Sequence, residues 1–170
     1  MLFRSSPVPV VVYHVPYRTG QPLSADTLRR LADLPGVLGV KHAVGGIDAD
    51  TIDLLARPAG FAVLGGDDVV VSALLALGAQ GGILASAHLA TARYAELVQA
   101  WQTGAADRAR TLGHRLARLS AALFAEPNPT VIKAVLHAQG RIPTPAVRLP
   151  LLPAGPDTVR TALRHAHTTT

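Results

Sequence analysis

Up to Trp101 the chain alternates short apolar runs with amphipathic stretches, and glycine or proline marks almost every change of pattern. Residues 8–13 are a β-branched run that reads as a buried strand. Pro16 and Gly20 mark residues 14–20 as a loop. Ser24 is placed to cap a helix whose apolar face is Leu28, Leu31, Ala32 and Leu34, and Pro35-Gly36 ends it. Residues 36–41 form the next apolar run, closed by Lys41. Gly45-Gly46 then turns the chain into a short helix over residues 48–57, stopped by Pro58. Residues 61–64 predict a third strand, and the turn 65–68 leads into a helix over 69–77 that either Asp67 or Asp68 would cap. Residues 81–85 predict a fourth strand, followed by a helix over 90–101. Strand–helix alternation with short connections predicts an α/β fold with a parallel sheet and right-handed crossovers.

The pattern then changes. Residues 104–124 are a long helical stretch of alanine, leucine and arginine, 126–129 break it, and 130–139 predict another helix. Residues 141–156 hold five prolines and predict an irregular apolar crossing. Asp157 is placed to cap a last helix reaching His165, with 168–170 frayed. The division that follows is residues 1–102 for the four βα units and 103–170 for a helical region.

Composition narrows the class. Hydrophobic residues make up 49% and charged residues 16%, against a usual charged share of roughly 25%, so there is material for a sizeable core. The net charge of +5 comes mostly from arginines spaced as on a solvated helix face. A nucleic-acid binder would show a denser basic stripe with interleaved aromatics, and no such partner is expected. The absence of cysteine excludes disulfides and thiolate metal sites and fits a cytoplasmic protein. Residues 1–7 lack the apolar core of a signal peptide, and the longest apolar stretch, 69–79, is too short to span a bilayer. A soluble protein with no membrane partner is the expectation.

Lys41 is the unusual residue. A lysine closing a buried strand is costly unless paired or deprotonated. One reading lays its stem along apolar surface with its head in water. The other makes it a nucleophile, because strand C-termini in βα arrays are where chemistry gathers. The four strand ends present Tyr13 with Arg18 beyond it, Lys41, the 65–68 turn, and Gly82-Ile83 followed by Ser86. An unprotonated lysine amine attacks a ketone to form an imine, a phenol shuttles protons, and a guanidinium grips a carboxylate in bidentate fashion. Together these describe a pyruvate-type aldolase.

The same residues carry a family resemblance. Residues 12–20, Val-Tyr-His-Val-Pro-Tyr-Arg-Thr-Gly, resemble the Tyr-Asn-Val-Pro-x-Arg-Thr-Gly motif of dihydrodipicolinate synthase. Gly39-Val40-Lys41-His42-Ala43 resembles that family's Gly-Ile-Lys-Glu-Ala strand, and Leu64-Gly65-Gly66-Asp67-Asp68 its Ser-Gly-Asp-Asp turn. Residues 78–83, 126–129 and 148–151 resemble its last strand and helical region. The resemblance implies a TIM (β/α)8 barrel enzyme that condenses pyruvate with aspartate semialdehyde in lysine biosynthesis; no cofactor is expected, and the histidines lack ligand spacing, so no metal is expected either. By position, Lys41 forms the imine, Tyr13 relays the proton, Arg18 binds a substrate carboxylate, Gly66 and Asp67 line the aldehyde side, and Ile83 packs near pyruvate. This chain departs from the pattern at His14, His42 and His88. Residues next to Tyr13 and Lys41 point to the other side of their strands, so His14 and His42 are expected in helix packing.

A complete barrel takes around 250 residues. Four βα units therefore correspond to the C-terminal half, with Met1 just before a fifth strand, and the expected partners are a homo-oligomer or a complementary N-terminal half. A non-catalytic remnant, or an aldolase acting on another aldehyde, are the alternatives.

Overall fold

Alternate strand residues find the apolar faces of the helices, and that pairing builds the sheet. The computed structural model describes residues 7–56 and 60–169. Strands β1 (Val10–His14), β2 (Val37–His42), β3 (Ala62–Gly65) and β4 (Gly81–Gly82) form one parallel sheet in the order β1-β2-β3-β4. The register sets Tyr13 beside Lys41 and Lys41 beside Leu64. On one face Val40 and Val63, with Val37 and Phe61, pack against Leu28 of α2 (Ala25–Ala32) and Leu54 of α3 (Ala49–Leu55). The caps are local: the Ser24 hydroxyl accepts the Thr27 N–H, and the Asp48 carboxylate accepts the Thr51 N–H.

The chain divides into two compact units, Met1–Ile83 and Leu84–Thr170. The second holds α5 (Ala87–Gln102), α6 (Ala106–Leu123), α7 (Thr130–Ala138) and α8 (Pro156–Thr169). Leu97, Leu116, Leu119, Leu123, Val131 and Val135 are among its fully buried side chains, and the Tyr94 hydroxyl pairs with Ser120 Oγ at 2.7 Å. Among the described residues, no helix is long and apolar enough to cross a membrane.

Several predicted details change. Within the predicted loop, Pro16–Thr19 makes a helical turn, α1, with Pro16 at its first position and Gly20 closing it at φ 70°. Helix α4 (Val71–Ala76) starts two residues late with Val70 at its N-cap, so neither Asp67 nor Asp68 caps it, and the Asp67 carboxylate accepts the Gly45 N–H at 2.8 Å. Strand β4 stops at Gly82, since only Gly81 and Gly82 pair with β3. Helix α5 starts at Ala87, before the predicted Ala90, which is a non-helical break within it. Helix α8 opens on Pro156, so Asp157 lies in the first turn and not at the cap. It also runs on to Thr169, whose hydroxyl donates to the His165 carbonyl and whose carbonyl accepts from Arg93 Nε. The predicted stop at Arg57-Pro58 and the end of the chain at Thr170 lie outside the described residues.

Candidate active site

Strand alternation puts Tyr13 and Lys41 on the sheet face opposite the helix-packed one. Lys41 is half-buried, and its Nζ lies 4.1 Å from the centroid of the Tyr13 ring. The ring itself is 45% exposed, so the pair is open to a small solute. Gly39, two residues earlier on the same face, is required by the sheet: a Cβ there would lie 2.4 Å from the Ala62 carbonyl oxygen.

Gly66 belongs to the same cluster. Its N–H donates to the His42 carbonyl at 2.7 Å, and a Cβ there would lie 2.7 Å from the Ala43 methyl and 3.1 Å from Lys41 Cε. The missing side chain is the space through which the lysine stem passes. Asp67 joins the 65–68 turn to the Gly45-Gly46 turn through its bond from Gly45 N–H. The Ile83 N–H donates to the Gly65 carbonyl at 2.9 Å, and its side chain is 46% exposed. Arg18 stands apart: it is exposed on α1, and its guanidinium lies over the Tyr17 ring, 5.3 Å from the centroid. The fold therefore gathers Lys41, Tyr13 and Gly66, sets Asp67 in the adjoining turn, and turns Arg18 to a different ring.

Behind this pair lies an arrangement that sequence reasoning placed but did not connect. His14 and His42, each next to a candidate catalytic residue, are 4% and 3% exposed on the helix-packed face. Their Nδ1 atoms stand 3.4 Å apart. His14 Nε2 accepts the Leu23 N–H at 3.0 Å, and His42 Nε2 lies 3.0 Å from Thr51 Oγ1. The Thr51 hydroxyl donates to Asp48 Oδ1 at 2.7 Å. Burial pushes the pKa of both imidazoles below the ordinary value, more than Asp48 restores at His14. At His42 the neighbouring His14 adds to the lowering, against Asp48, Asp67 and Asp50. The Thr51 hydroxyl and N–H hold the Asp48 carboxyl below its usual range. The readable signal was the strand period, which puts residues 14 and 42 on one face of neighbouring strands. Among the described residues, no group of three His, Cys, Asp or Glu side chains is placed to hold a metal ion.

The Dihydrodipicolinate synthetase family model matches residues 2–167. The chain belongs to this family. It is 41% identical over 149 residues to 4-hydroxy-tetrahydrodipicolinate synthase 2 of Clostridium acetobutylicum, a match covering 88% of this chain and 52% of that protein. A 4-hydroxy-tetrahydrodipicolinate synthase of Azoarcus is 40% identical over 94% of this chain and 55% of its own length. Among solved structures, dihydrodipicolinate synthase of Thermotoga maritima superimposes with a TM-score of 0.90 at 30% identity, covering 99% of this chain and 58% of that one. A chloride-inhibited dihydrodipicolinate synthase of Acinetobacter baumannii, complexed with pyruvate, gives 0.88 at 35% identity over 96% and 57%. The chain thus spans about half the length of the curated relatives it matches.

Proposed function

We propose that this chain carries the imine-forming part of a dihydrodipicolinate synthase-type site, in a cytoplasmic lyase that condenses pyruvate with aspartate semialdehyde. The observation that carries the reading is Lys41 Nζ held 4.1 Å from the Tyr13 ring centroid at the tips of two parallel strands. The amine of Lys41, once unprotonated, attacks the pyruvate ketone carbon; the carbinolamine loses water and leaves a C=N bond to Nζ. Tyr13 moves the proton that the carbinolamine oxygen needs to depart as water. Gly66, lacking a side chain, lets the lysine stem pass the turn, Gly66 and Asp67 border the aldehyde, and Ile83 supplies an apolar wall. Arg18 grips a substrate carboxylate after its side chain leaves the Tyr17 ring. In this reading residues 1–102 are half of a (β/α)8 barrel and 103–170 a helical region. Turnover then needs either a complementary N-terminal half or a second copy. The exposed face around Tyr13 and Ile83 favours such a partner over a chain that works alone.

Borohydride trapping with pyruvate tests this. The expected result is a reduced adduct on Lys41, absent in Lys41→Ala, with little synthase turnover by the chain alone. No adduct on Lys41 at saturating pyruvate overturns the proposal, and trapping without any partner-dependent turnover selects the non-catalytic remnant.

A further inference from the structure

We infer that His14 and His42 are positioning residues: as two neutral rings they hold the tips of β1 and β2 from the helix-packed side and so keep Tyr13 against Lys41. The placement itself does not depend on the reading under Proposed function; only its consequence for chemistry does.

The hydrogen bonds allow one arrangement of protons. A backbone N–H only donates, so the bond from Leu23 leaves His14 Nε2 as a lone pair. The one proton of a neutral His14 is then on Nδ1, pointing at His42 Nδ1, 3.4 Å away, at the long end for such a bond. That makes His42 Nδ1 an acceptor and puts its proton on Nε2, where it donates to Thr51 Oγ1 at 3.0 Å. Thr51 in turn donates its hydroxyl proton to Asp48 Oδ1, which also accepts the Thr51 N–H at 2.8 Å. The run thus starts on a backbone amide and ends on a carboxylate, and each ring nitrogen has one role.

A further proton fits nowhere. On His14 Nε2 it would oppose the Leu23 N–H, and on His42 Nδ1 it would oppose the proton of the neighbouring ring. Three carboxylates act on His42, one of them (Asp48) on His14 as well, and each has its own hydrogen-bond donor. Asp48 accepts from Thr51, Asp50 Oδ1 from the Ala25 N–H at 3.5 Å, and Asp67 from the Gly45 N–H. None is placed in these bonds to accept from a protonated ring.

The rings are coupled to the site through the main chain. The His14 carbonyl accepts the Ala43 N–H at 2.9 Å, and the His42 carbonyl accepts the Gly66 N–H. Both strand tips and the Gly66 turn are therefore fastened at the two histidines, one residue from Tyr13 and Lys41. Charging either ring loosens that fastening and moves the lysine from the tyrosine.

Histidine NMR on the whole chain, together with the Lys41 ε-methylene shift, tests the inference. Above the ordinary imidazole value of 6.5, His14 is expected as the Nδ1–H tautomer and His42 as the Nε2–H tautomer. The Lys41 ε-protons are expected upfield, under the Tyr13 ring current, and lose that shift with the same midpoint as the rings on acidification. Thr51→Val should largely abolish the upfield shift, and Thr51→Ser should keep it. An Nε2–H signal on His14, an upfield shift that survives ring protonation, or a folded Thr51→Val chain with the full shift each overturns the inference. If Thr51→Val does not fold, the titration of the unaltered chain decides. Absence of pyruvate trapping alongside these shifts counts against the proposed function alone.

Discussion

Gly66→Ala isolates the space that the candidate site needs. The backbone at Gly66 lies outside the left-handed region, so the cost is steric alone. The new Cβ would meet the Ala43 methyl at 2.7 Å, roughly 1 Å inside a comfortable carbon–carbon separation. Ala43 is buried, its N–H is tied to His14 and the Gly66 N–H is tied to His42, so neither side can rotate away. Overpacking of this kind costs about 1–3 kcal/mol. At this chain length each kcal/mol lowers the melting temperature by roughly 2–4 °C, which gives an expected fall of about 2–12 °C in a circular-dichroism melt. The second contact, 3.1 Å to Lys41 Cε, is with a flexible stem that can move, and the expected sign is a slower pyruvate adduct. Gly46→Ala is the control, because a Cβ there meets nothing within 4 Å and its backbone also avoids the left-handed region. It should be neutral or slightly stabilising. A Gly66→Ala melt that coincides with the parent, or a Gly46→Ala fall of the same size, refutes the reasoning.

Gly39→Ala should be worse, at about 3 kcal/mol or more, since its Cβ collides with a backbone carbonyl and would force β2 from β3; an unchanged urea midpoint refutes this. Because the folded pKa of His14 and His42 is lowered, the unfolded chain takes up protons first. Their contribution is therefore complete above about 6.5 and falls as pH drops below it, by up to ~1.4 kcal/mol per pH unit for each ring; urea midpoints that stay flat across that range contradict it. Asp48 is shifted downward, so its contribution is present above 3.8 and is lost as pH falls through its folded value, which puts a second step in the acid limb of the same titration. The outer strands β1 and β4 and the 45–51% exposed side chains Val11, Tyr13, Leu38 and Ile83 should drive the isolated chain to associate, and a monodisperse monomer by light scattering refutes that.

Hydrophobic period and punctuation made the parallel pairing legible, because β-branched runs such as residues 8–13 have few other ways to be buried. Local competition was less legible. Asp67 next to a helix start looks like a cap, yet its carboxylate is taken by the Gly45 amide across a turn that is distant in sequence. Pro16 looked like a loop residue, although proline is also favoured at the first position of a helix, which is where it lies. At the candidate site, the meeting of Lys41, Tyr13 and Gly66 was legible because each lies at a strand end, where register fixes position. The placement of the Arg18 side chain was not legible, because α1 is a single exposed turn and a guanidinium on it can lie on Tyr17 as readily as reach inward. The ring-to-ring contact of His14 and His42 was hidden for another reason. Strand period gives a face, whereas a donor–acceptor chain also needs Leu23 and Thr51, which come from two different loop–helix junctions.

Strand alternation ties the two faces of this sheet together. Any residue that can fasten the back of a strand tip is by necessity the immediate neighbour of one that faces the substrate side. His14 and His42 are places where this chain departs from the dihydrodipicolinate synthase motifs it resembles. Both histidines are buried on the helix-packed side, so they leave the open face that carries Lys41 and Tyr13 untouched. At the backs of the two tips stand imidazoles whose pKa burial pushes below the ordinary value. The alignment of lysine and tyrosine in this chain should then depend on acidity through residues that never meet a substrate. Comparing only the residues around Lys41 with those of its relatives would miss that dependence.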